Sequence, residues 1–118
     1  MDKEFVLYEQ ALALRELGFD EPCICGYSKS NEKLEIYSRF LVTKDSFTVD
    51  APTFSQAFRW FREKYELYSW ITMELGNKST FCWVLSGEHT STQYAAYFHT
   101  YEEAESACLN KLIELIKL

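Results

Sequence analysis

Apolar residues along this chain switch between two periods, and the switches mark the elements. Phe54, Ala57, Phe58, Phe61 and Tyr65 recur at i, i+3, i+4, i+7 and i+11. That spacing predicts one face of an amphipathic helix over Ala51 to Tyr65. Pro52 precedes it, and Thr53 is placed to cap a first-turn N–H. A second helix is predicted from Phe5 to Leu17, where Leu7, Tyr8, Ala11, Leu12, Leu14 and Leu17 cover a wide sector. Gly18 stops it, because glycine takes the left-handed conformation of a helix end without strain, and Phe19 can fold back on Leu14. A third begins at Thr100, which forms a capping box with Glu103. Its buried stripe is Tyr101, Ala104, Cys108, Leu112 and Leu115.

Between the helices the period falls to two. Cys23 to Tyr27 and Leu34 to Val42 read as strands joined by the polar loop Ser28 to Lys33. Phe47 and Val49 suit a further short strand leading into Pro52. Leu67 to Leu75, Thr80 to Ser86 and Gln93 to His99 follow, with a turn at Gly76 to Ser79 and a polar loop at Gly87 to Thr92. The order is αββαβββα. Short connections favour antiparallel neighbours, and helices on one face would bury the aromatic stripes. The expected fold is a single α+β domain over residues 1–118. It is a two-layer sandwich of three helices on a mostly antiparallel sheet of four to five strands.

All three helices begin alike. Tyr8-Glu9-Gln10-Ala11, Phe54-Ser55-Gln56-Ala57 and Tyr101-Glu102-Glu103-Ala104 share the form aromatic–x–Gln/Glu–Ala, at spacings of 46 and 47 residues. Duplication accounts for this. So does helix-start chemistry, in which the aromatic anchors the first turn and the alanine lets the helix approach a sheet. Leu7 stands where Thr53 and Thr100 stand in the other two, so the first helix lacks that cap.

Charge narrows the function classes. The net charge of −6 works against a nucleic-acid phosphate backbone, which clustered Lys and Arg must neutralise. Arg59, Arg62 and Lys64 lie close together, but Glu63 and Glu66 interleave with them. The acidic start, Met1-Asp2-Lys3-Glu4, has no signal-peptide pattern, and no apolar run has the ~20 residues of a membrane span. An intracellular, cytoplasmic chain with reduced cysteines is expected.

Candidate chemistry is thin. Cys23 and Cys25 lack zinc-knuckle spacing, and Cys82 and Cys108 fall on apolar faces where packing explains them. A Cys82–His99 nucleophile pair has no elbow or glycine-rich oxyanion loop beside it, and His89 lies in a polar loop. The glycines form no phosphate cradle. No catalytic, cofactor or metal residue is assigned, and a non-enzymatic role is expected.

What remains is an excess of rings, 17% of residues. Tyr68 and Trp70 share one side of their strand, while Phe81, Trp83 and Leu85 alternate with Cys82 and Val84 on the next. Trp60 sits on the shoulder of the central helix. Both sheet faces then carry large rings although helices cover one. Tyr68, Trp70, Trp83 and Trp60 are therefore the candidate anchors for a protein partner or for self-association.

Three stretches carry a resemblance: Tyr8 to Cys23, Phe58 to Tyr65, and Thr100 to Ala104 with Leu109 to Glu114. In these the chain resembles a group of short uncharacterised proteins from gut Bacteroidales and their phages or mobile elements. The resemblance implies a cytoplasmic accessory protein and brings no activity, cofactor or catalytic residue with it.

Overall fold

The computed structural model describes residues 2–37, 46–74 and 80–117. Among these the chain is α+β, with three α-helices and two three-stranded antiparallel sheets. It divides into two compact units, Met1–Thr53 and Phe54–Leu118.

In the first unit a 3₁₀ turn, Asp2–Glu4, precedes α1, Tyr8–Glu16. The helix starts three residues later than its periodicity suggests, because Phe5 is extended and bridges Thr53. Leu7 has no side-chain oxygen to cap with, but Gln10 reaches back and accepts from the Leu7 N–H at 2.9 Å. Half of a capping box is therefore present. At the far end Gly18 is left-handed (φ 99°). The Phe19 N–H donates to the Leu14 carbonyl and the Gly18 N–H to that of Arg15, both at 3.0 Å. These two bonds make the expected Schellman end.

Three strands follow: β1 Cys25–Ser28, β2 Leu34–Ile36 and β3 Phe47–Ala51, in the order β2-β1-β3. The first hairpin and the strand through Phe47 and Val49 are where the pattern put them. The expected continuation of β2 from Ser38 to Val42 lies outside the described residues. Phe5, Cys25 and Ala51 form a buried cluster, with Tyr27 and Leu34 packed on it. The Tyr27 hydroxyl donates to the Val6 carbonyl at 2.6 Å.

The second unit opens with α2, Phe54–Tyr65. Three strands come next: β4 Leu67–Glu74, β5 Thr80–Gly87 and β6 Thr90–Phe98. They form a meander, β4-β5-β6, and α3, Tyr101–Lys117, closes the chain. The Glu103 N–H donates to Thr100 Oγ at 3.0 Å, as its cap requires. β6 begins at Thr90, so the expected loop at Gly87 to Thr92 shrinks to Glu88 and His89. Its first residues, Thr90, Ser91 and Thr92, are polar but suit a solvated strand. The expected turn at Gly76 to Ser79 lies outside the described residues.

The expectation of one sheet of four to five strands is corrected to two sheets of three, and the order to αβββαβββα. Among the described residues each run of strands pairs only within itself, and the choice of pairing partners is not readable from alternation alone. The repeated helix starts meet the packing account only in part. Tyr101, expected in the buried stripe of α3, is 47% exposed, and Leu109 and Ile113 join Ala104, Cys108 and Leu112 in the buried set instead. Tyr8, Phe54 and Tyr101 are the first residues of α1, α2 and α3. Tyr8 packs edge-on to Tyr27 of β1, and Tyr101 edge-on to Phe81 of β5. Ala11, Ala57 and Ala104 are all buried. The two sheets differ in which strand is central, so the repeat does not extend to their topology.

Candidate functional site

The ring-rich sheet of the second unit has two distinct faces, and register separates them. Ser69 lies close enough to the Cys108 thiol of α3 to lower its pKa against the rise from burial, and α2 and α3 both pack against β4, so the Ser69 face of β4 meets the helices. Ser69 pairs with Leu85 and Ile71 with Trp83, which puts Leu85 and Trp83 on that covered face. The opposite face carries Trp70, Val84 and Tyr94 as one row across the three strands. Tyr68 pairs with Ser86 beside it.

Exposure follows this division. Tyr68 is 48% exposed and Trp70 50%, and Tyr94, not singled out from the sequence, is 72%. Trp83 is 7% exposed and Trp60 6%, so both are core residues rather than surface anchors. Trp60 leaves the shoulder of α2 and joins Phe54, Ala57 and Phe61 in the buried set, while Phe58 is only half-buried. It meets Phe61 edge-on at 5.1 Å and Tyr65 at 5.5 Å. Lys64 lies 4.9 Å above its ring, so this cation covers an aromatic surface.

A groove of about 270 Å³ runs beside the middle of β4. Ser55, Phe58 and Arg62 line it from α2, Ser69 to Ile71 from β4, and Tyr101 and Glu105 from α3. Burial, and then the neighbouring Glu102 charge, push the Glu105 carboxyl above its ordinary pKa. Sequence periodicity misses this groove because its walls come from three separate elements.

The remaining polar candidates are dispersed. The four cysteines form no disulfide. Cys25, Cys82 and Cys108 are buried, and Cys23 is half-buried. Burial raises the Cys25 and Cys82 thiols and pushes Cys108 up to about 11. These shifts suppress the thiolate at neutral pH. Thiol titration at pH 8 should therefore find Cys23 alone reacting rapidly in the folded protein and all four after denaturation. Rapid reaction of Cys108 in the native state would contradict the packing around it. His89 lies with Glu66 and Glu88 at the start of β4, their ligand atoms within 4.8 Å of one another and all three residues exposed. No described helix is long and apolar enough to cross a membrane.

No family model, curated protein or solved structure matches the chain.

Proposed function

We propose that this chain is a cytoplasmic, non-catalytic module that binds another protein through the open face of its β4-β5-β6 sheet. The observation that carries the reading is the Trp70–Val84–Tyr94 row with Tyr68 beside it. A contiguous row of half-exposed rings is the kind of apolar patch that marks an interaction surface, and such rings tend to dominate the energy of the interfaces they join. Three buried thiols raised above their ordinary pKa favour binding over cysteine catalysis. The resemblance to short proteins of gut Bacteroidales and their phages supports an accessory role.

A nucleic-acid-associated role is the second reading. It rests on Arg59 and Arg62, both exposed on α2. The net charge of −6 weighs against it.

The test is a tagged pull-down from host lysate, with and without nuclease, comparing wild type with Tyr68→Ser/Trp70→Ser. A specific protein that survives nuclease should bind the double variant about 30-fold or more weakly, the scale of losing an aromatic anchor. Far-UV circular dichroism should show the variant folded. Partners that vanish with nuclease, or that the folded variant retains, would overturn the reading.

A further inference from the structure

We propose that β4 is a docking edge for an extended segment of another protein, apolar in its middle and carrying Lys or Arg at both ends, which joins the sheet as a fourth strand. This rests on the open-face reading above and names the class of its partner.

A sheet edge presents unpaired N–H and C=O groups, and proteins blunt such edges with short strands, bulges, charges or proline. Here β2 has three residues, and β3 is bulged against β1 at Tyr27/Ser28. The register of β6 against β5 shifts twice, and Tyr97 near its end is left-handed (φ 73°). β4 is neither short nor bulged and has no proline. Its eight residues pair with β5 in unbroken register. Glu74 is its only charged residue, and it contains no proline or glycine. Among the described residues β5 is its one strand partner.

Side chains beside this edge say what would lie on it. A strand alternates its side chains between faces. On one face an added strand would meet Tyr68 and Trp70, and on the other the groove beside Ser69 and Ile71. Tyr68 and Trp70 accept apolar groups, and the groove offers Phe58 and Ile71 beside the polar Ser55, Arg62 and Glu105. The two ends of β4 are acidic: Glu66 stands immediately before it, gathered with Glu88 and His89, and Glu74 ends it. An aromatic middle between carboxylates complements an apolar segment with cationic ends.

The same charges disfavour a second copy as the occupant. An antiparallel β4 pair that stacked Trp70 on its twin would set Glu66 against the other chain's Glu74 at both ends. Like charges directly opposite destabilise a strand pair and select against it.

The experiment uses the full chain and a labelled synthetic peptide of alternating Thr and Val, matched to β4 in length and flanked by Lys. Fluorescence anisotropy should show saturable binding, weakened about tenfold or more by Glu flanks. N-methylation of one alternate set of peptide amides should abolish binding, and of the other set should leave it unchanged, because only one set faces an edge. Equal tolerance of both sets would mean that side chains alone make the contact, and strand addition would fall. No binding by the Lys-flanked peptide, or a wild-type dimer in sedimentation whose β4 amides are protected from exchange, would also overturn it. If the pull-down still responds to Tyr68→Ser/Trp70→Ser, the open-face reading survives those outcomes. If it does not, both fall.

Discussion

Trp83→Ser is expected to remove about 3–5 kcal/mol of stability, the range for deleting a large buried ring. Trp83 is 7% exposed on β5, the central strand of its sheet, and shares a face with the fully buried Leu85. α3 packs against that strand. Serine would leave a cavity where the indole stood and a hydroxyl to satisfy within it. Because total stabilities of about 5–15 kcal/mol are typical, one such change brings residues 54–118 close to unfolding. Trp70→Ser should behave differently, shifting stability by roughly 0.5 kcal/mol, because half of that ring is already in water. Urea unfolding followed by circular dichroism separates the two. An unchanged midpoint for Trp83→Ser would mean that the ring is not core and would return it to the partner surface.

The contrast between these tryptophans marks what alternation can and cannot say. Period two places Trp70 with Tyr68, and Trp83 with Phe81 and Leu85, and the registers agree. It does not say which side the helices cover, since that depends on the Ser69–Cys108 contact between distant segments. Trp60 is a similar case. A helical wheel puts it on the shoulder of the stripe, but its ring is large enough to reach Phe61 and Tyr65. Signals confined to a few residues were legible. Gly18 ends α1, and Thr100 caps α3, because each acts through neighbours in sequence. Division of the strands into two sheets was not legible, because pairing partners are chosen between segments and leave no local mark. The groove beside β4 and the carboxylates at its ends escape local reading for the same reason.

One such long-range device is expected to yield the second large effect. Tyr37 lies across β1, its ring over Gly26 and its hydroxyl donating to the Asp50 carboxylate of β3. Gly26 pairs with Asp50 in the ladder, so the tyrosine closes over that pair. A Cβ at position 26 would stand 2.7 Å from the ring carbon Cζ of Tyr37 and nearer still to its hydroxyl. Gly26→Ala must therefore displace the ring, breaking the bond to Asp50 and the edge-on contact with Phe47 at 4.6 Å. Overpacking of this kind costs about 1–3 kcal/mol, to which about 1–2 kcal/mol of lost hydrogen bonding adds. Tyr37→Phe keeps the ring and should lose only the second part. The phenol also gives a pH signature. Burial first, then the bond and charge of Asp50, raise its pKa above the ordinary 10.0. Below pH 10 the phenol is neutral in both folded and unfolded chains, so the stabilisation is fully present. As pH rises further the unfolded chain ionises first, and stability falls by up to about 1.4 kcal/mol per unit, less where solvent screens the group. Tyr27 and Tyr101 are shifted the same way and contribute a background slope. Subtracting the Tyr37→Phe curve from wild type isolates the Tyr37 share. Parallel curves between pH 9 and pH 11 would show that the hydroxyl is solvated and that Gly26 is small for some other reason.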